Sequence, residues 1–105
     1  MNGLWIAHYR AGGARGEGMM MFRAGEILGG DFAHAWTGTY EEDGSHLSAR
    51  LRVAPCMSRG ERGPLAREHP VMVTLSGECT ERDALLRGHP DESVTAVTIE
   101  MHKAA

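Results

Sequence analysis

The chain has 105 residues, which suits a single domain with one hydrophobic core, and a formal net charge of −3 at pH 7. This acidic balance provides no basic field for phosphates, so it argues against direct binding to nucleic acid. No charged start precedes a long apolar stretch. We therefore expect neither a secretory signal nor a membrane span, and predict a cytoplasmic protein.

Four segments rich in aromatic, branched and other apolar residues predict the first four strands: 4–10, 17–23, 26–29 and 35–40. Glycines lie between them, as at Gly12-Gly13, Gly29-Gly30 and in the pair Ala24-Gly25. Glycine adopts the positive φ angles that tight turns require, so the connections are predicted to be short hairpins. The first half of the chain is therefore expected to form a β-meander.

The second half continues the same pattern in four further segments: 46–53, 71–77, 84–88 and 94–102. The alternation is clearest in 46–53, where one face is apolar and the other polar. Its apolar positions are Leu47, Ala49, Leu51 and Val53. The connection 54–70 carries scattered prolines, and we expect it to be either functional or mobile, with at most one helical turn near 65–68.

Eight short strands with hairpin links predict an all-β fold, an eight-stranded antiparallel up-and-down barrel. Closure favours a barrel because it removes the exposed edges that an open sheet leaves. A two-sheet sandwich would give nearly the same pattern and remains the alternative. The interior of an eight-stranded barrel is either filled by side chains or holds one small ligand.

The second strand carries four consecutive apolar residues, Met19 to Phe22. A strand exposes alternate residues on opposite faces, so Met19 and Met21 share one face while Met20 and Phe22 share the other. We predict that Met20 and Phe22 face outward, to meet a second subunit or a partner. Packing against a covering loop is an equal alternative. The residues predicted to line the interior are Trp5, Met19, Met21, Trp36, Leu51, Val73 and Ile99.

Residues that could carry chemistry are sparse. Cys56 and Cys79 are expected to be free thiols in a reducing compartment, with a disulfide as the less favoured alternative. The histidines are scattered singly, without the short ligand spacing of zinc sites, so we expect no metal and no cofactor. Asp43, Ser45 and His46 are too close in sequence to form a catalytic triad. Enzymatic activity is therefore the least supported class.

Glu41, Glu42 and Asp43 form an acidic run at a predicted hairpin tip. Acidic turns are commonly just solvated. As a recognition element, such a run would attract a basic protein surface and make association sensitive to salt.

Several short motifs occur in a distinctive order over the first half of the chain, from Asn2 to about Val53. They are Asn2-Gly3-Leu4-Trp5, Gly16-Glu17-Gly18 with its apolar run, Gly29-Gly30-Asp31 and Trp36-Thr37-Gly38-Thr39-Tyr40. Together they resemble the GrlR-like family of type III secretion negative regulators. The resemblance implies a lipocalin-like, eight-stranded barrel with an apolar cavity, which forms a homodimer.

The same resemblance implies antiactivation, in which the dimer binds a helix-turn-helix transcriptional activator and keeps it from DNA. In the family an exposed run of four alternating Glu and Asp residues makes that contact. This chain has a shorter run at the matching turn, and we carry over Glu41, Glu42 and Asp43 as predicted partner contacts. Two functions are thus expected from the sequence: a regulatory protein-binding module, or a binder of an apolar small molecule such as a lipid.

Overall fold

The computed structural model describes residues 1–56 and 70–105. Within them the chain forms eight strands, each antiparallel to the next, and β8 pairs with β1 to close the barrel. The strands are β1 Gly3–Ala11, β2 Ala14–Arg23, β3 Glu26–Gly30, β4 His34–Asp43, β5 His46–Pro55, β6 Val71–Cys79, β7 Asp83–Pro90 and β8 Val97–Lys103. The predicted eight-stranded up-and-down barrel is therefore confirmed. The helical turn predicted near 65–68 lies outside the described residues.

Three hairpins have two-residue turns with the backbone conformation that their sequences predict. Gly12 (φ 61°), Gly25 (φ 85°) and Gly44 (φ 62°) all have positive φ. Ala24 also has positive φ, at 51°, although a side chain disfavours that conformation. Such turns follow the right-handed twist of the two strands they join, which keeps adjacent strands in register.

Inward-facing side chains from all eight strands form a single buried cluster. Aromatic rings pack edge to face within it, with ring centroids 6.3 Å apart for Trp5 and Phe22 and 5.0 Å apart for Phe22 and Tyr40. None of the buried residues in the described part of the chain is polar or charged. Burial of apolar surface is therefore the main stabilising contribution to the barrel.

The two ends of the barrel differ. One end, the terminal end, holds both chain termini, the β2–β3 and β4–β5 turns, and the loop between β6 and β7. The opposite end, the loop end, holds the β1–β2 turn and the loop between β3 and β4. Along 1–56 and 70–105, we find no helix long and apolar enough to cross a bilayer.

Candidate functional site

Strand β2 faces the opposite way from our prediction. Met20 and Phe22 are 1% and 0% exposed inside the barrel, whereas Met19 and Met21 are 45% and 40% exposed on its outer surface. The assignment of Met20 and Phe22 to an outer interface, and of Met19 and Met21 to the interior, is therefore wrong. Four consecutive apolar residues leave the inward set undetermined, because a shift by one residue exchanges the two faces of a strand.

The charged residues of β2 indicate which of its two faces points outward. Arg15, Glu17 and Arg23 have the same odd numbering as Met19 and Met21, and all are solvent-exposed. Charged side chains are rarely buried without a partner. The odd positions of this strand therefore had to face the solvent.

The other predicted interior residues do face inward: Trp5, Trp36, Leu51, Val73 and Ile99 are each at most 6% exposed. They belong to the single buried cluster described above. Side chains therefore fill the described part of the interior, which is one of the two outcomes available to a barrel of this size.

The exposed methionines belong to a larger apolar area on the outside of β1, β2 and β3. Met21 lies between Leu4 and Leu28 on the neighbouring strands, and Ile6 pairs with Met19. Ile6 is 39% exposed and Leu28 is 65% exposed, while Leu4 is half-buried. We refer to Leu4, Ile6, Met19, Met21 and Leu28 as the outer apolar face. The outer surface of a barrel in water is normally polar, so this apolar grouping is a departure from the usual pattern.

Charged residues bound the outer apolar face at both ends of β2. Arg23 stands at the terminal end, opposite Glu26 of β3. Glu17 stands toward the loop end, and one of its carboxylate oxygens lies 3.2 Å from Nδ1 of His8. The strand therefore presents a cation, two methionines and an anion in succession on its outer side.

The acidic run lies at the end of β4 and is divided by the alternation of the strand. Glu41 and Asp43 are on the outer side and are exposed. Glu42 is on the inner side at the terminal end, where its Oε1 accepts a hydrogen bond of 2.6 Å from the amino group of Met1. The three carboxylates therefore do not share one surface. Binding of a partner by Glu41 and Asp43 stays a prediction.

Cys56 and Cys79 are both free thiols, as predicted. Cys79 is buried, and its sulfur lies 3.9 Å from Oε2 of Glu42. Burial, together with the negative charge of Glu42, raises the pKa of this thiol above its usual value. A buried thiol with a raised pKa is a poor nucleophile, so Cys79 is a packing residue rather than a reactive one.

Two open recesses occur on the described surface. The first, of about 870 Å³, lies at the terminal end and includes Glu42, Cys79 and Arg82. The second, of about 680 Å³, lies on the outer side of β1 and β8, where the rings of His8 and His102 are 6.0 Å apart. No group of three or more His, Cys, Asp or Glu side chains in 1–56 and 70–105 is arranged to hold a metal ion.

A polar network that the sequence does not predict lies at the loop end. Oδ2 of Asp31 accepts a hydrogen bond of 2.6 Å from the hydroxyl of Tyr9, and Oδ1 accepts bonds of 2.8 and 2.7 Å from the backbone N–H groups of Ala33 and His34. Nδ1 of His34 lies 3.2 Å from the same oxygen. Asp31 and Tyr9 are 22 residues apart, so the contact exists only once β1, β2 and β3 have paired.

The network shifts both of its acidic groups. Burial alone would raise the pKa of Asp31, but the hydrogen bonds from Tyr9, Ala33 and His34 outweigh it and hold that pKa below its usual value. Burial, followed by the hydrogen bond to Asp31 and its charge, raises the pKa of Tyr9 to about 12. These shifts favour Asp31 as an anion and Tyr9 as a neutral donor, which are the states in which their hydrogen bond forms. We refer to this hydrogen bond between β1 and the residue after β3 as the clamp.

Neither protein-family models nor curated proteins give a match to this chain. The GrlR-like resemblance therefore stays a prediction. Among the described residues, those of the outer apolar face lie outside the buried cluster, so the packing of the core does not explain why they are apolar. This face combines adaptable methionines with a charged rim, a composition that is also found at protein interfaces.

Proposed function

We propose that the protein is a non-enzymatic binding module that forms a homodimer through the outer apolar face and holds a regulatory protein in the cytoplasm. The partner implied by the GrlR-like resemblance is a helix-turn-helix transcriptional activator. In that role the dimer would keep the activator away from DNA, as a negative regulator does.

The outer apolar face is the observation that carries this proposal. Met19, Met21 and Leu28 are 45%, 40% and 65% exposed and lie on adjoining strands of one sheet. Exposure of these apolar side chains to water is unfavourable. Burying them in an interface would be favourable by roughly 25 cal/mol per Å² of apolar surface. The interior of the barrel already has its own buried cluster, so these side chains are not required for the core.

A second copy of the chain fits the size of this surface. An exposed apolar patch of this kind covers on the order of 300–500 Å², whereas a standard interface buries about 800 Å² on each partner. The outer apolar face would supply about half of that area, and the charged rim around it the remainder. An apolar centre with a polar rim is the usual composition of a protein interface.

The acidic residues at the terminal end are the proposed contact for the activator. Glu41 and Asp43 point away from the barrel, with Glu26 two strand positions from Glu41 on the adjoining strand. DNA-binding domains carry basic surfaces, and opposite charges speed their association with an acidic one. The amide variant Glu41→Gln/Asp43→Asn should then weaken binding of the activator, and the loss should be greatest at low salt.

The alternative, a small apolar ligand inside the barrel, has less support. Trp5, Trp36 and Leu51 are at most 5% exposed and pack together with Val73 and Ile99 where such a ligand would lie. A ligand would have to displace them, and close-packed interiors resist such rearrangement.

The homodimer is tested by measuring the mass of the purified protein as a function of concentration, using sedimentation or light scattering. Wild-type protein should approach twice the chain mass of 11.4 kDa. Met21→Lys places a charge at the centre of the outer apolar face and should dissociate the dimer at least about tenfold more readily. Val94→Lys is the control, because Val94 is an apolar residue that is 98% exposed in the loop between β7 and β8, outside that face.

A monomeric wild-type protein, or equal dissociation of both variants, would contradict the proposed use of the outer apolar face. The regulatory part needs a separate measurement. The tagged dimer is used to capture partners from its host, and a helix-turn-helix protein so identified is tested in a DNA-binding competition. If the Glu41→Gln/Asp43→Asn variant competes with DNA as strongly as wild type, Glu41 and Asp43 do not contact the activator.

A further inference from the structure

Strand β2 presents a self-complementary pattern on its outer side. Arg23, Met21, Met19 and Glu17 follow one another at two-residue intervals and all face outward. The centre of this pattern is the position of Met20. A rotation that reverses the strand about that position exchanges Met21 with Met19 and Arg23 with Glu17.

We propose that two copies of the chain pack with their β2 strands antiparallel, about a two-fold axis at the level of Met20. In this dimer Arg23 of each copy pairs with Glu17 of the other. The inference rests on the homodimer proposed above and adds its orientation and the residues that select it.

Charge decides between the two orientations available to aligned sheets. Sheets of the aligned packing class keep their strand directions within about 30° of each other, so in that class the two β2 strands run either parallel or antiparallel. A parallel arrangement about this face places Arg23 on Arg23 and Glu17 on Glu17. The antiparallel arrangement instead forms two pairs of opposite charge, and juxtaposed like charges select against the wrong arrangement.

The distances are compatible with these pairs. Arg23 and Glu17 are each three residues from Met20, about 10 Å along a strand that rises 3.3–3.4 Å per residue. Facing sheets pack about 10 Å apart, a gap that an arginine and a glutamate bridge together. Arg23 takes part in none of the ion pairs formed within 1–56 and 70–105. Its guanidinium is therefore available as far as the described residues are concerned.

The neighbouring strands fit the same axis. On β1, Leu4 and Ile6 lie at the levels of Met21 and Met19, so each would meet the other across the axis. On β3, Leu28 lies at the level of Met21 and Gly30 at the level of Met19. The most exposed side chain of the outer apolar face would therefore lie over a glycine of the partner, where no side chain blocks it.

The test uses two charge-reversed variants, Arg23→Glu and Glu17→Arg. Each homodimer then carries two like-charge contacts, whereas a mixture can form a heterodimer in which both contacts are of opposite charge. Both positions are exposed, and circular dichroism and thermal melting establish that the variants fold. Native mass spectrometry of the two variants, alone and mixed in equal amounts, gives the populations, with a short tag on one variant to separate the masses.

We expect each variant alone to dimerise at least about tenfold more weakly than wild type at low salt. The mixture should form mainly heterodimer, well above the statistical 1:2:1 distribution. A parallel dimer would give the same excess, but its wild type would already carry like-charge contacts. The weakening of each variant alone relative to wild type therefore identifies the antiparallel pairing, and variants that dimerise as strongly as wild type would overturn it. The matched control pair, Arg52→Glu and Glu78→Arg, lies on the outer sides of β5 and β6 and should give the statistical distribution.

A statistical distribution for the Arg23 and Glu17 variants, with dimers intact, would overturn the antiparallel pairing while leaving the homodimer in place. Loss of all dimers in the mixture, with wild type dimeric, would also overturn it. If the wild-type protein is monomeric, and Met21→Lys leaves its mass unchanged, the proposed homodimer itself is wrong. The milder variant Glu17→Gln adds an independent measurement, because it should reduce the salt dependence of dimerisation and not merely its strength.

Discussion

The network around Asp31 offers a stringent test of how the loop end is held. The side chain of Asp31 is only 9% exposed, and it accepts hydrogen bonds from Tyr9, Ala33 and His34. Hydrogen bonds to a charged group contribute about 1.5–3 kcal/mol each, and their contributions overlap when one carboxylate accepts several. We therefore expect Asp31→Ala to lower the free energy of unfolding by about 3 kcal/mol, and Asp31→Asn by about 1–2 kcal/mol.

Urea denaturation at pH 7 measures both changes, and thermal melting should show a fall of roughly 10 °C or more for Asp31→Ala. The control is Asp91→Asn, because Asp91 forms its ion pair with Arg50 on the exposed surface, where solvent screens it. Its effect should be clearly smaller. A change below about 0.5 kcal/mol for Asp31→Ala would refute the reasoning, since that is the range of ordinary surface substitutions.

The pH dependence gives a second check on the same network. The folded-state pKa of Asp31 is lowered, so its stabilisation is present above the unfolded value of about 3.9 and is lost as pH falls through the folded value. The folded-state pKa of Tyr9 is raised to about 12, so its contribution is present below pH 10 and is lost as pH rises toward 12. The free energy of unfolding, measured as a function of pH, should lack the acidic decrease due to this group in Asp31→Asn. It should lack the decrease between about pH 10 and 12 in Tyr9→Phe.

Three further predictions test the described fold. Gly18→Ala should lower the free energy of unfolding by about 1–3 kcal/mol, because its Cβ would lie 2.7 Å from a tryptophan ring, whereas Gly13→Ala, with nothing within 4 Å, should be near neutral in the same urea titration. Met20→Ala should cost about 2–5 kcal/mol and Met19→Ala under about 1 kcal/mol in the monomer; the reverse order would contradict the facing of β2. Ala24→Gly should raise the melting temperature, because it relieves a positive φ of 51°.

The number, order and approximate bounds of the strands were predictable from the sequence, because alternation and turn residues act locally. Segment 46–53, for example, is strand β5 His46–Pro55, with Leu47, Ala49 and Leu51 buried as expected. The facing of β2 was predicted the wrong way round, because the four apolar residues Met19 to Phe22 are compatible with either face pointing inward. The charged residues Glu17 and Arg23 share the odd parity of Met19 and Met21, and they indicate the correct facing.

The site residues were harder to predict, for two different reasons. The acidic run was predicted at a hairpin tip, but it forms the last three residues of β4, so the alternation of the strand separates Glu42 from Glu41 and Asp43. The clamp between Tyr9 and Asp31 depends on the pairing of β1 with β2 and of β2 with β3. Contacts of that kind are set by the closed sheet as a whole, and no local pattern reports them.

The pairing of β8 with β1 closes the sheet, so neither strand is an edge strand. Along the ladders formed by the described residues, a partner therefore finds no open edge strand of the kind that ends an open sheet, and contact with the paired strands is made by their side chains. Within β2 the even-numbered residues maintain the fold while the odd-numbered residues meet the surroundings. A substitution at an outward position of β2 can then change the surface of the barrel without disturbing the core that keeps it folded.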